Sequence, residues 1–62
     1  MDIWTVNGIE FTSIKEFAKA VGVSRETIYV WTAKGMPAIR STSGRILVPI
    51  ELAFKWVEKY RS

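Results

Sequence analysis

Cysteine and histidine are both absent from the sequence of 62 residues. Their absence excludes disulfide bonds and the common structural zinc sites, so the core must form by packing alone. It also excludes a histidine base or a cysteine nucleophile in catalysis. The six acidic residues are scattered along the chain and suggest neither a catalytic pair nor a metal site. We therefore expect a protein that is not an enzyme and that needs no metal or cofactor.

Other missing features narrow the class further. The four glycines, Gly8, Gly22, Gly35 and Gly44, are far apart, which excludes the clustered glycines of a phosphate-binding loop. The N-terminus lacks a basic segment followed by an apolar one, and no apolar run is long enough to span a membrane. These absences predict an intracellular protein without a membrane partner.

The composition fits one small domain with a packed core. Apolar residues make up 48% of the chain, and they include three tryptophans and three phenylalanines. A chain of this length buries only about 60% of the surface that its unfolded form exposes, so we expect modest stability. The net charge is +3 and the isoelectric point is near 9.6, which fits a polyanionic partner.

Residues 14–34 have the pattern of two short helices joined by a turn. The apolar positions on the inward side are Ile14, Phe17, Ala18, Val21, Val23, Ile28 and Trp31. Gly22 lies where the backbone has to turn with a positive φ, and Ser24 follows as the N-cap of the second helix. Gly35 and Pro37 predict that this helix ends near Lys34.

This pattern is typical of DNA-binding helix-turn-helix proteins, in which the start of the second helix contacts base edges in the major groove. The residues on the outer side of the second helix are Ser24, Arg25, Glu26, Tyr29, Val30 and Ala33. The alternative is an ordinary helix pair in which Arg25 and Glu26 are merely solvated. Because the small Ala18, the glycine turn, the cap and the apolar set all agree, we favour DNA binding.

An N-terminal β-hairpin with an Asn-Gly type I′ turn is predicted over residues 3–12. A two-residue loop places Val6 opposite Ile9. It also places Trp4 opposite Phe11, so these four apolar side chains share one face. We expect that face to pack on the helices, which makes the hairpin a structural element. Recruitment of another protein is the alternative.

The first helix is predicted to begin at Ile14, because Ser13 and Glu16 form a capping box. Lys15 and Lys19 lie one turn apart on its exposed side. In a DNA complex they would contact the phosphate backbone, and the alternative is that they are simply solvated.

Residues 38–48 predict a second hairpin. Its loop is expected to contain four small residues, Ser41, Thr42, Ser43 and Gly44. This loop length places Arg40 opposite Arg45, and the two charges repel each other unless a phosphate is bound between them. It also places Ile39 opposite Ile46. The alternative is that both arginines extend into water.

The last helix is predicted over residues 49–60, with Pro49 in its first turn. Its expected buried stripe consists of Ala53, Trp56, Val57 and Tyr60. Ile50 and Phe54 widen the stripe, and we expect them to pack under the N-terminal hairpin or, alternatively, between copies of the protein. The basic residues expected to be solvated are Lys55, Lys59 and Arg61.

From residue 14 to about residue 60 the order is helix, turn, helix, hairpin and helix, which resembles the small winged-helix proteins related to the MerR family. Two branches share residues with this chain. Similarity to the DNA-binding domain of the terminase small subunit of lambda-type phages lies in residues 27–31, residues 35–37, Arg40, Lys55 and Trp56. Similarity to phage and transposon excisionases and AlpA-type regulators lies in residues 24–29, residues 44–46, Val48 and Pro49.

The resemblance implies an α+β winged helix-turn-helix with three helices and a wing hairpin between the second and the third. This chain adds the N-terminal hairpin, which both branches lack. The resemblance also implies that the second helix enters the major groove and that the wing lies on the backbone or in the minor groove. It further implies self-association on repeated sites, with an integrase or a terminase large subunit as a protein partner.

We therefore expect a sequence-specific double-stranded DNA-binding protein of phage or mobile-element origin, in the cytoplasm of a bacterial host. The expected DNA contacts are Ser24, Arg25, Glu26, Thr27, Tyr29, Val30, Lys34, Arg40, Ser41, Thr42, Ser43 and Arg45, with secondary phosphate contacts from Lys15 and Lys19. If residues 1–62 are the entire product, an excisionase-like recombination factor or a small regulator is favoured. If they are part of a longer protein, a terminase small subunit stays open. A protein-binding adaptor is the remaining alternative.

Overall fold

The computed structural model describes residues 2–61. The elements in chain order are β1 (Ile3–Val6), β2 (Ile9–Ser13), α1 (Ile14–Val21), α2 (Arg25–Ala33), β3 (Ile39–Arg40), β4 (Ile46–Pro49) and α3 (Ile50–Arg61). Residues 2–61 thus form a small α+β fold with three helices and one four-stranded antiparallel sheet. The predicted α+β class and the three predicted helices are therefore confirmed. None of the helices in this range is long and apolar enough to cross a membrane.

The two predicted hairpins form one sheet instead of two separate units. β1 and β2 pair in the predicted register, with Trp4 opposite Phe11. β2 then pairs with β4, with Thr12 opposite Val48, so the strand order is β1, β2, β4, β3. The N-terminal hairpin is therefore part of this sheet and not a separate unit, and its strand β2 contacts α1 and α3. The backbone groups along the edge of β2 are satisfied by pairing with β4.

The sheet has a covered face and an open face. Thr12 and Val48 share the covered face because they are opposite each other, and both are buried. Trp4, Val6 and Ile9 lie on the open face, since side chains alternate along a strand. Val6 is 52% exposed and Ile9 is 45% exposed. The register with β4 turns the face of Thr12 toward the core. Val6 and Ile9 therefore stay about half exposed, whereas Phe11 on their side of the hairpin is only 8% exposed.

Local signals set the ends of α1 and the start of α2 as predicted. The Oγ of Ser13 accepts a hydrogen bond from the backbone N–H of Glu16 at 3.2 Å and caps α1. Gly22 ends α1 with a φ of +85°. The Oγ of Ser24 accepts from the N–H of Thr27 at 3.3 Å and caps α2.

The C-terminal end of α2 is a Schellman motif. The N–H of Gly35 donates to the carbonyl of Thr32 at 3.2 Å, and the N–H of Met36 donates to the carbonyl of Trp31 at 3.0 Å. Gly35 has the positive φ that the motif needs, +115°. Met36 and Trp31 are both buried, so the motif ties the end of α2 to the core.

The core lies between the helices and the covered face of the sheet. Its buried residues are Ile14, Phe17, Ala18, Ile28, Trp31, Met36, Val48, Ala53 and Val57. The inward positions predicted for α1 and α2 either belong to this cluster or pack against it. The helical periodicity of the sequence therefore predicted the buried side of both helices correctly.

α3 differs from its prediction at its start. It begins at Ile50, because Pro49 is the last residue of β4 and lies opposite Phe11. Phe54 packs on Phe17 of α1, with ring centroids 5.1 Å apart. α3 also contacts β2, the second strand of the N-terminal hairpin, and β4.

The rest of the expected stripe of α3 is only partly buried. Tyr60 is 47% exposed and stacks on Trp56 with ring centroids 4.8 Å apart. The ring centroids of Tyr60 and Trp31 lie 6.2 Å apart in an edge-to-face arrangement. At the other end of the helix, Ile50 lines a shallow groove with Ile9 at the tip of the N-terminal hairpin, close to where it was expected.

The left-handed backbone of Gly22 leads to a prediction about stability. A Cβ at this position would meet no atom within 4 Å, so only the strain of the positive φ opposes a side chain. We expect Gly22→Ala to lower the free energy of unfolding by about 1 to 2 kcal/mol, measured by urea denaturation. Asparagine adopts this conformation more readily, so Gly22→Asn should lose less stability. Equal losses in the two variants would contradict an origin in backbone strain.

Candidate nucleic-acid interface

An open groove runs between the first turns of α1 and α2 and the loop that joins β3 to β4. Lys15 lies on its α1 side, and Arg25 and Tyr29 lie on its α2 side. Ser43 and Arg45 lie on its loop side. The fold therefore brings together predicted contact residues from three separate segments of the chain.

The charge around this groove is mainly positive. Lys15, Arg25 and Arg45 are all exposed, and within residues 2–61 none of the three forms a salt bridge with an acidic side chain. Asp2 is the one acidic residue among the described residues that line the groove. Unpaired basic groups around a single concave surface raise the local positive potential, which attracts an anionic partner.

The outer face of α2 borders the same groove. Ile28 and Trp31 are buried as predicted, which turns Tyr29 and Val30 outward, each 53% exposed. Glu26 is exposed on this side of the helix as well. Apolar and charged groups side by side on one helix face match the mixture of methyl groups, donors and acceptors on the edges of base pairs.

Ser24 and Thr27 have a structural role in addition to any contact with a ligand. The Oγ of Ser24 and the Oγ1 of Thr27 lie 3.0 Å apart, and either hydroxyl can donate the hydrogen bond. Together with the capping bond from the Thr27 N–H, this contact fixes the first turn of α2. It therefore also fixes the direction in which Arg25 and Glu26 leave the helix.

The loop of the second hairpin is one residue shorter than predicted. Arg40 lies opposite Ile46, and the N–H of Ser41 donates to the carbonyl of Arg45 at 2.7 Å. The N–H of Gly44 donates to the carbonyl of Ser41 at 2.9 Å, which leaves residues 42–44 as the loop. Gly44 has a φ of +86°, the left-handed position of a three-residue hairpin loop.

This register separates the two arginines that were expected to face each other. Arg40 shares the covered side of the sheet with Ile46, whereas Arg45 projects from the open side. Ile39 likewise lies opposite Leu47 and not Ile46. The predicted clamp of both arginines on one phosphate is therefore wrong, because the two side chains leave the hairpin on opposite faces.

Several other expected contacts do not line the groove. The residues concerned are Lys19, Ser24, Glu26, Thr27, Val30, Lys34, Arg40, Ser41 and Thr42. All except Thr27 and Ser41 are exposed, so the exposed ones are accessible beside the groove without forming it. The Oγ of Ser41 accepts from the N–H of Arg45 at 3.2 Å and lies 2.9 Å from the Oγ of Ser43, which gives it a role in holding the turn.

Trp4 lines the groove but was not among the predicted contacts. The guanidinium carbon of Arg45 lies 5.7 Å from the centroid of a Trp4 ring, within the range of a cation–π interaction. This contact depends on the pairing of β1 with β2 and of β2 with β4. No local signal in the sequence indicates it.

The groove offers positive charge, hydrogen-bond donors and aromatic rings to a ligand. Within residues 2–61, no group of three or more Cys, His, Asp or Glu side chains comes together in a way that could hold a metal ion.

No family model matches the chain, and neither a curated protein nor a solved structure matches it.

Proposed function

We propose that this chain is a winged helix-turn-helix protein that binds double-stranded DNA at specific sites. In this proposal α2 is the recognition helix and the β3–β4 hairpin is the wing. The observation that supports it is the groove that joins Arg25, at the start of α2, to Arg45, beside the wing loop, with Lys15 on a third side. Unpaired positive charge on several elements around one groove fits the phosphate backbone of a duplex.

We assign the outer face of α2 to the major groove. The guanidinium of Arg25 can donate to both O6 and N7 of a guanine, which is the commonest specific contact between proteins and DNA. The carboxylate of Glu26 can accept from the amino group of a cytosine, and Val30 can contact the methyl group of a thymine. The exposure of Tyr29 and Val30 leaves this face free to approach the bases.

We assign Lys15, Ser43 and Arg45 to the phosphate backbone or to the minor groove beside the wing. The surface residues that add flanking backbone contacts are Lys19, Lys34, Arg40 and Thr42. The residues that hold the cap of α2 and the turn of the wing are Ser24, Thr27 and Ser41.

The resemblance to excisionases, AlpA-type regulators and terminase small subunits supports a biological role. We propose a non-enzymatic, excisionase-like recombination factor or small regulator of a phage or mobile element, in the cytoplasm of its bacterial host. Recognition of a packaging site as part of a terminase small subunit is the alternative. Self-association on repeated sites, and contact with an integrase or a terminase large subunit, belong to the same proposal.

A protein-binding adaptor is the second candidate, and the open face of the sheet favours it. Val6, Ile9 and Ile39 are about half exposed there and would suit an apolar contact with another protein. Such a contact resists salt, whereas DNA binding through several phosphates weakens steeply as the salt concentration rises. Salt dependence therefore distinguishes the two candidates.

The test is to measure binding of the purified chain to DNA fragments from its source genome, at two salt concentrations, against an equal mass of random DNA. Selective, salt-sensitive binding beside an attachment site would support an excisionase. Selective binding beside a packaging site would support a terminase, and binding over a promoter would support a regulator. No binding to any fragment at low salt would contradict the DNA proposal and favour the adaptor.

Arg45→Ala is expected to weaken binding to specific and random DNA alike. The loss of one phosphate contact should lower the slope of log affinity against log salt by about 1, measured by fluorescence anisotropy over a salt series. Lys55→Ala is the matched control, because it removes a basic group that is paired with Glu51 on α3 and lies outside the groove. An unchanged slope for Arg45→Ala, or the same change in the control, would remove this arginine from the interface.

A further inference from the structure

We infer that the N-terminal hairpin positions the wing arginine for DNA through the contact between Trp4 and Arg45; this inference rests on the proposed DNA-binding function. The guanidinium carbon of Arg45 lies 5.7 Å from the Trp4 ring centroid, where the negative ring face attracts a cation. Trp4 is therefore a positioning residue, which acts on DNA through Arg45.

Two strand pairings bring these side chains to one face. Trp4 lies opposite Phe11, and Phe11 lies opposite Pro49, so the three residues share the open face of the sheet. Arg45 precedes Pro49 by an even number of positions, and side chains alternate along an extended strand. The contact between Trp4 and Arg45 therefore follows from the register of β1, β2 and β4.

The wing turn holds the backbone of Arg45 but not its guanidinium. The N–H of Arg45 donates to the Oγ of Ser41, and its carbonyl accepts from the N–H of Ser41. An arginine side chain has many rotamers, and ordering it on binding reduces affinity. The Trp4 ring restricts the guanidinium before DNA binds. Arg45 is nevertheless exposed, so its N–H groups remain accessible to a phosphate.

The same ring connects the hairpin to the rest of the candidate interface. Trp4 lines the groove that also contains Lys15 and Arg25. The N-terminal hairpin is therefore a part of the DNA-binding surface. Its predicted role, as an element that only supports the helices, does not account for this placement.

Trp4→Leu tests the inference, because it removes the ring face and keeps an apolar side chain and the charge of Arg45. We expect its affinity for duplex DNA to fall about two- to fivefold. The salt slope should stay that of the parent chain, since no phosphate contact is lost. In an Arg45→Ala background, Trp4→Leu should cause no further loss, because the interaction it removes is already absent.

Two matched variants separate positioning from damage to the hairpin. Trp4→Phe keeps a ring face and should recover most of the affinity. Val6→Ala shortens a neighbour on the same open face and should bind DNA like the parent chain. Thermal unfolding of each variant shows whether the fold is kept. If Trp4→Leu does not fold, the comparison of Trp4→Phe with the parent chain still tests the inference.

A second measurement reports the contact without DNA. Aliphatic protons of Arg45 that lie over an indole ring are shifted upfield in the NMR spectrum. We expect this shift in the parent chain, a smaller one in Trp4→Phe and none in Trp4→Leu. Loss of the shift together with the loss of affinity would support positioning.

The outcomes distinguish failure of this inference from failure of the proposed function. If the parent chain binds no duplex at low salt, the DNA proposal is wrong and the positioning role is wrong with it. If the parent chain binds and Trp4→Leu binds equally well, only the role of Trp4 is wrong. An equal loss in Val6→Ala would also overturn that role, since the effect would then belong to the whole hairpin.

Discussion

Phe17→Ala is expected to remove most of the stability of the fold. Phe17 is 1% exposed, and its ring packs on Phe54 with centroids 5.1 Å apart. Truncation of a buried phenylalanine costs about 3 to 5 kcal/mol, because apolar contacts are lost and a cavity remains. A domain of this size has a total stability of roughly 3 to 9 kcal/mol. The variant should therefore be substantially unfolded in mild urea, as measured by near-ultraviolet circular dichroism and tryptophan fluorescence.

Tyr29→Ala is the matched control for this experiment. It also truncates an aromatic residue on a helix, but Tyr29 is exposed on the outer face of α2. Substitutions at such surface positions change stability by about 0.5 kcal/mol or less. If Phe17→Ala unfolds at the same urea concentration as Tyr29→Ala, the core does not depend on the contact of α1 with α3.

Arg25→Ala is expected to reduce the discrimination between specific and random DNA. One contact of this type with a base edge contributes about 1 to 3 kcal/mol, which corresponds to an affinity loss of roughly 5- to 150-fold on the specific site. Random DNA should be affected much less, because it offers no guanine in the required position. Titrations of both duplexes at one salt concentration measure the ratio directly.

Arg25→Lys controls for the charge of this residue. Lysine keeps the positive charge but loses the forked geometry that recognises two acceptors at once. We expect its affinity for random DNA to match that of the parent chain while its affinity for the specific site is reduced. Equal losses of Arg25→Ala on both duplexes would instead place this arginine on the phosphate backbone.

The parts of the fold that the sequence predicts well depend on neighbouring residues. Ser13 and Ser24 cap helices through bonds to N–H groups three residues later, and Gly22 and Gly35 adopt the positive φ that ends a helix. The Asn-Gly turn likewise determines the register between β1 and β2. In each case the residues that decide the structure are close together in the chain.

The parts that the sequence predicts poorly depend on contacts between distant segments. Nothing near β2 indicates that it pairs with β4, and this pairing decides which face of the N-terminal hairpin stays open. The loop between β3 and β4 was predicted one residue too long for a smaller reason, since Ser41 can continue the strand or begin the turn. The hydrogen bonds between Ser41 and Arg45 stabilise the shorter loop. Because the loop is one residue shorter than predicted, Arg40 and Arg45 lie on opposite faces of the hairpin.

The candidate interface also contains residues that the sequence predicts well and residues that it predicts poorly. Arg25, Tyr29 and Lys15 were predicted from helical periodicity, and they line the groove in the structure. Trp4 was assigned to a supporting hairpin, because its contact with Arg45 depends on the pairing of β2 with β4 and cannot be read from residues 3–12. An aromatic residue such as Trp4 can therefore be assigned to the candidate interface only after the strand order is known.

The pairing of β2 with β4 also joins segments that are far apart in the chain, with α1 and α2 between them. The two helices α1 and α2 and their caps are complete once residue 36 has been synthesised, and their hydrogen bonds are all local. Thr12 can meet Val48 only after the intervening chain, with both helices inside it, has closed into a loop, and contacts between distant segments form slowly. The β1–β2 hairpin and the helical pair thus need only residues 3–36, whereas the four-stranded sheet also needs β4. We expect the groove that combines Trp4, Arg25 and Arg45 to form only when β4 pairs with β2.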